Sequence, residues 1–200
     1  MVRKSKDLSS ESAELLFKLQ KLKKELDEET VESYQRVNPF FENLTNWKEK
    51  GEKYAGKDST IYDSATLIGE VEIGSECWIG PFTLIDGSGK VSIGDHTVIS
   101  SGTHIYTHDT VKWALSRGID SYVYAPVVVG SCVFVGAQSV IVRGVSIGDH
   151  SLVSANATVV NDVPSYSIVA GTPAKIIGRV CLNHDGVKLE YFKTNLSTRQ

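Results

Sequence analysis

Residues 129–160 read VGSCVF VGAQSV IVRGVS IGDHSL VSANAT VV when broken every six, and an aliphatic residue opens each block: Val129, Val135, Ile141, Ile147, Val153 and Val159. The same register runs back through the chain. Ile61, Leu67, Ile73, Ile79 and Ile85 hold one phase, Ile93, Ile99 and Ile105 resume it after a two-residue slip, and Val123 leads into the quoted stretch. Four residues after most anchors comes a small or β-branched residue, such as Cys77, Thr83, Thr97, Thr103, Ser139 and Ser151. Gly directly follows many of them, as at Gly74, Gly94, Gly130 and Gly148.

A six-residue period fits neither a helix, at about 3.6, nor a strand running on at about 2. It suits short parallel strands joined by tight turns, three hexads to a coil, with every anchor pointing into one core. The fifteen anchors predict about five coils of a triangular prism roughly 24 Å long at the strand spacing of about 4.8 Å. The expected fold class is therefore an all-β solenoid, a parallel β-helix, over residues 58–164.

The segments on either side differ. Residues 1–57 carry 12 Lys and Arg against 11 Asp and Glu and no Gly before Gly51. Leu15, Leu19, Leu22 and Leu26 draw a narrow apolar stripe, so a helix is expected over roughly residues 10–36, lying on or capping the solenoid or packing on a neighbouring subunit. Asn38-Pro39 ends it, and a second short helix with Phe40, Phe41, Leu44 and Trp47 is expected to seal the first coil. After Val163-Pro164 the hexads stop, leaving residues 165–200 as a return segment and polar tail.

Forty-one per cent apolar content and a net charge of -3 describe one soluble domain with an appendage. No basic excess invites nucleic acid, and no stretch approaches the ~20 apolar residues of a membrane span. A cytoplasmic protein is expected. Cys77, Cys132 and Cys181 lack metal-ligand spacing, and Cys77 reads as a buried small hydrophobe.

Five histidines are candidates for chemistry: His96, His104, His108, His150 and His184. His96 and His150 lie in Ile-Gly-Asp-His corners, where a polar residue simply meets solvent. His108 holds the same slot after Ile105, but eighteen residues separate Ile105 from Val123, so the prism is expected to extrude a loop over residues 109–122. Loops thrown from rigid scaffolds are where sites tend to lie. This one carries Lys112, Trp113, Arg117 and Asp120.

Two stretches, Gly102-Thr103-His104-Ile105-Tyr106-Thr107-His108 and Ile168-Val169-Ala170-Gly171-Thr172-Pro173-Ala174-Lys175-Ile176-Ile177, together with the hexads, resemble the hexapeptide-repeat acyltransferases. The likeness is to the sugar O-acetyltransferases of the maltose, galactoside and nodulation-factor type. It implies a left-handed β-helix, an exception to the usual right-handed crossover, and acetyl-CoA as donor to a hydroxyl of a sugar or glycan precursor. His108 becomes the catalytic base acting directly in a ternary complex, oriented by a backbone carbonyl or by Asp109. His104 is expected to bond acceptor or carbonyl oxygen, and Tyr106 and Trp113 to stack on a sugar ring or pack between subunits. Asp86 matches an acidic position near the acceptor, though Asp-Gly-Ser-Gly reads equally as a plain turn.

By the same resemblance Ala137 and Ala155 offer backbone contacts to coenzyme A, while Lys175 and Arg179 meet its phosphates or remain solvated. A homotrimer is implied, with each site shared between two chains. The chain departs from the family at Asn161, where a relative often has Lys, at Phe134, where many have Trp, and at Pro81, where sugar enzymes offer Asn. His108 also follows Thr107 directly and precedes Asp109 rather than Pro. Competing readings are N-acetylation of a nucleotide-linked amino sugar, a zinc carbonic anhydrase and a non-catalytic scaffold. Only three residues lie between His104 and His108, which argues against three-His zinc, so no metal is expected.

Overall fold

The computed structural model describes residues 9–192. They form two compact units, one ending at Asn46 and one beginning at Trp47. In the first, helix α1 (Ser10–Tyr34) opens on Ser9, whose hydroxyl accepts the N–H of Ser12 at 3.2 Å. It stops where Gln35 turns left-handed at φ 52. Of the leucine stripe, Leu15, Leu19 and Leu22 are exposed. A 3-10 turn, Phe40–Leu44, follows, and Asn43 donates to Asp27 of the helix at 3.1 Å.

The second unit is the solenoid with its caps. Helix α2 (Trp47–Tyr54) covers the first coil. Trp47 stacks on Tyr62 with centroids 4.7 Å apart, and the Lys50 ammonium donates to the carbonyls of Tyr62, Asp63 and Ala65 at 3.0, 2.8 and 3.2 Å. A solenoid's end coil has no neighbour to satisfy it, so such a cap is required. A Cβ on Gly51 would meet the Ser59 carbonyl oxygen at 1.9 Å, which shows how closely the helix backbone approaches.

Parallel pairing then stacks the anchors in three columns. One face aligns Ile61, Ile79, Ile99, Val135, Val153 and Val169. A second aligns Leu67, Ile85, Ile105, Ile141 and Val159. The third aligns Ile73, Ile93, Val129, Ile147 and Val163. All but Leu67 are buried, giving one continuous apolar core.

The corners explain the rest of the hexad. A Cβ on Gly74, Gly94 or Gly130 would come within 2.4, 2.5 and 2.2 Å of the next coil's Asp95, Ser131 and Asp149. Those side chains accept backbone N–H groups from the coil before: Asp95 from Ser75 at 2.7 Å, Ser131 from Asp95 at 3.1 Å, and Asp149 from Ser131 at 2.8 Å. The buried hydroxyls of the small-residue slot do the converse. Thr97, Thr103 and Ser151 donate to the carbonyls of Gly130, Gly136 and Pro164 at 2.9, 3.2 and 3.0 Å. Each of these three hydroxyls is thereby satisfied by a neighbouring coil.

Three expectations are adjusted. Val123 is not a core anchor. It pairs antiparallel with Asp109 outside the prism, and Val129 takes the place after Ile105. The reason is that the excursion closes at Ala125, whose N–H meets the Thr107 carbonyl at 2.9 Å, and a detour of three hexads leaves the period unchanged. Second, Val163 and Val169 extend the columns past Val159, so the first face has six rungs where five coils were expected. Third, the return segment is a sheet addition: Lys175–Asn183 pairs antiparallel with Ser167–Ala170, and Gly186–Tyr191 pairs with it in turn. The rest of the tail, residues 193–200, lies outside the described residues.

The two-residue slip also has a structural form. Strands Thr66–Ile73 and Leu84–Ile93 run through a corner unbroken, and between Gly69↔Gly87 and Val71↔Val91 the later strand carries two more residues. That irregular corner carries Asp86.

Candidate active site

His108 lies where the chain leaves the prism. His108–Asp109 pairs antiparallel with Val123–Tyr124 to form a neck, and beyond it comes a short helix, α3 (Val111–Leu115). Below the neck, the Thr107 hydroxyl donates to the Asp86 carbonyl at 2.7 Å and accepts the Gly89 N–H at 2.7 Å. The break in the solenoid is therefore fastened to the irregular corner beside it.

The Asp86 side chain is almost fully buried, whereas that of His108 keeps 32% of its surface exposed. Asp86 Oδ2 bonds His108 Nδ1, and its Oδ1 accepts both the hydroxyl of Ser88 at 2.6 Å and the Ser88 N–H at 3.0 Å. Burial opposes ionisation of this carboxyl. The Ser88 hydroxyl and N–H and the His108 imidazole outweigh that cost and hold it below the ordinary value of 3.8. Ionised Asp86 accepts Nδ1–H, which sets the tautomer that leaves Nε2 with its lone pair. Tyr124 lies over the imidazole with ring centroids 5.9 Å apart and planes inclined by 30°.

A cleft of about 490 Å³ opens beside His108, lined by Tyr106, His108, Asp109, Val142, Arg143 and Val160. Asp109 does not orient the imidazole. Its carboxylate bonds Arg143 Nε, an interaction that holds Asp109 below its ordinary value, and its other oxygen accepts the Val111 N–H at 3.2 Å.

The residues singled out in the sequence thus separate into groups. Asp86, Tyr106 and His108 come together. His104 lies against them, its Nδ1 3.1 Å from the Tyr106 hydroxyl, without lining the cleft. Trp113 sits on α3 with its ring edge-on to Tyr122 at 5.6 Å. Ala137 and Ala155 occupy turns of successive coils, where Asn156 N–H meets the Ala137 carbonyl at 2.9 Å. A Cβ on Gly136 would reach Ala155 N at 2.4 Å. Lys175 is exposed at the start of its strand. Arg179 is occupied by Glu190, with Nε and Nη2 at 2.8 and 2.7 Å.

Sequence reasoning missed Asp86 as the partner of the imidazole, and it missed Arg143 and Tyr124 altogether. For Asp86 a signal existed. It follows an inward anchor at the one place where the register slips, and pairing Ile85 with Ile105 brings it beside the His108 segment. Among the described residues no group of three His, Cys, Asp or Glu side chains is placed to hold a metal ion.

Comparison with known proteins agrees with this architecture. Residues 126–160 match the family model described as the hexapeptide repeat of succinyl-transferase. The galactoside O-acetyltransferase of Escherichia coli is 33% identical over 112 residues, 56% of this chain and 53% of that protein. The N-acyltransferase AntD of Bacillus cereus, solved with dTDP and 3-hydroxybutyryl-CoA, superposes with a TM-score of 0.57 at 27% identity, over 62% of this chain and 70% of AntD. A hexapeptide-repeat containing acetyltransferase from Vibrio cholerae gives 0.51 at 26% identity, over 81% and 92%. The chain spans at most about half the length of the curated relatives it matches. It carries the hexapeptide repeat on the parallel β-solenoid fold of the hexapeptide-repeat acetyltransferases.

Proposed function

We propose that this chain is an acetyl-CoA-dependent acetyltransferase that delivers acetyl to a hydroxyl of a sugar or glycan precursor, with His108 as general base. The observation that carries the reading is the His108 imidazole, tied at Nδ1 to buried, ionised Asp86 and partly exposed on a cleft. A hydroxyl is a poor nucleophile at neutral pH, and an imidazole base takes its proton as the oxygen attacks the thioester. His108 Nε2 receives that proton while the new C–O bond forms. The C–S bond then breaks, and the imidazolium returns the proton to the departing sulfur of coenzyme A. Asp86 stabilises the transient imidazolium and keeps the ring in place. This gives it a role through His108 rather than direct contact with the acceptor.

Tyr106 on the cleft wall, hydrogen-bonded to His104 behind it, offers its hydroxyl to an acceptor oxygen. Ala137 and Ala155, small residues in stacked turns, offer the close backbone approach that a pantetheine arm needs, and Lys175 supplies a cation for its phosphates. Arg179 enters that role only by exchanging Glu190 for phosphate. The likeness to an N-acyltransferase supports a second reading, in which an amine takes the hydroxyl's place and His108 removes its proton.

The cleft is open on one side, and we assign its closure, with Trp113, to a second copy in a homotrimer of about 66 kDa, from a chain of 21.9 kDa. Among the described residues no helix is long and apolar enough to cross a membrane, and the reading implies work in the cytoplasm, where acetyl-CoA is at hand. The test is free-thiol release from acetyl-CoA across a panel of sugars and amino sugars, with light scattering on the same sample. Acceptor-dependent thiol release from a trimer is expected. No coenzyme A binding and no thiol release would overturn the enzyme reading, and an active monomer would overturn the shared site.

A further inference from the structure

We propose that the acceptor is anionic, carrying a carboxylate or phosphate that Arg143 binds in the cleft beside His108. The inference rests on the acetyl-transfer reading and names the substrate class within it.

Arg143 stands at a corner of the prism, next to Gly144 at φ 80, and lines the same cleft as His108 and Tyr106. Asp109 holds it through Nε alone. The two terminal amino groups have no hydrogen-bond partner among the described residues. A guanidinium has five N–H donors in a planar fork, so a mere staple for the neck would use one and leave the bidentate edge idle. The side chain retains 36% exposure, and Val142 and Val160 make part of the surrounding wall apolar. Charge-assisted bidentate pairing with a carboxylate or phosphate is the interaction this edge is shaped for.

The phosphates of coenzyme A are a poor match for it. The whole pantetheine arm separates them from the thioester, whereas the residue gripping Arg143 directly follows the proposed base. An anion met there belongs to the molecule whose hydroxyl or amine is being acylated.

The test is calorimetric titration of galactose, galacturonate and galactose 1-phosphate into the full chain saturated with coenzyme A, using wild type, Arg143→Lys and Arg143→Gln. At least one of the two acids is expected to bind about tenfold or more tightly than galactose, and which one does so separates carboxylate from phosphate. Arg143→Gln should abolish that preference and Arg143→Lys should keep part of it. The proposal is overturned if wild type shows no preference for an acid, if the preference survives in Arg143→Gln, or if all affinities fall together, as a purely structural Arg143 would require. Thiol release from acetyl-CoA separates the two ideas. An Arg143-dependent preference without acetyl transfer leaves the anion site standing and the enzyme reading fallen. Acetyl transfer to galactose that is indifferent to Arg143→Gln does the reverse.

Discussion

Three histidines stand three residues after an inward anchor, and two corners of the molecule make them different things. At the regular corner His96 and His150 both take left-handed backbone, φ 53 and 55, in a column with Glu76, Cys132 and Tyr166. His96 faces the Glu76 carboxylate at 3.2 Å, both largely exposed, and His150 stacks on Tyr166 at 5.0 Å. These contacts join one coil's surface to the next. At the broken corner the chain departs outward, the backbone of His108 becomes extended and paired, and the imidazole turns onto a buried carboxylate. The spacing is the same in all three. The local environment is what separates a surface histidine from a candidate base.

The largest effect should come from attacking the regular corner at its anchor. Ile147 is 1% exposed within the apolar column, so Ile147→Asp would bury a charge without a partner, at a cost of several kcal/mol against a total stability of about 5–15. Insoluble or unfolded protein is expected. A soluble variant with a normal thermal melt would show that the regular corner does not depend on its column.

Next comes the broken corner. His108→Ala should lower kcat by about 10²–10⁴ with little change in coenzyme A affinity, as read by steady-state kinetics and calorimetry. Turnover near the wild-type rate would remove the distinction between the corners. Asp86→Asn should cost less, about 10²-fold in kcat, because the ring stays but its tautomer is no longer enforced.

The same substitution sharpens the comparison through pH. The folded-state pKa of Asp86 is depressed, so its contribution to stability is fully present above the unfolded value near 3.8 and is lost as pH falls through the lower folded value. Wild type should melt above Asp86→Asn at neutral pH, and the gap should close below about pH 4. A gap independent of pH would mean that packing rather than charge holds Asp86.

The smallest effects belong to the control positions. His96→Ala and His150→Ala should leave turnover unchanged and shift the melt only slightly, since exposed pairs contribute about 0–1 kcal/mol. Loss of activity in either would move the chemistry to the regular corner.

Most of the solenoid is legible in the chain because its rule is local. One inward residue every six, a glycine where coils touch and a small hydroxyl at the turn are each satisfied by the adjacent coil, so the period gives every column residue from Ile61 to Val159 and errs only in adding Val123. The excursion was legible as a gap. Its end was not, because Val123 keeps the phase while lying outside the core, and only the Thr107–Ala125 hydrogen bond shows where the neck closes. His108 could be singled out from its place at that gap and from its resemblance to known enzymes. Its partner could not, since Asp86 is 22 residues away and meets it only after the slip at Gly87 to Lys90 is folded and Ile85 has paired with Ile105. Arg143 looked like any polar corner residue until the second column, pairing Ile141 with Ile105, brought it against Asp109. Short-range periodicity determined the scaffold by itself, whereas the site's charges were assembled by stacking coils from distant segments, and that pairing was decided only in three dimensions.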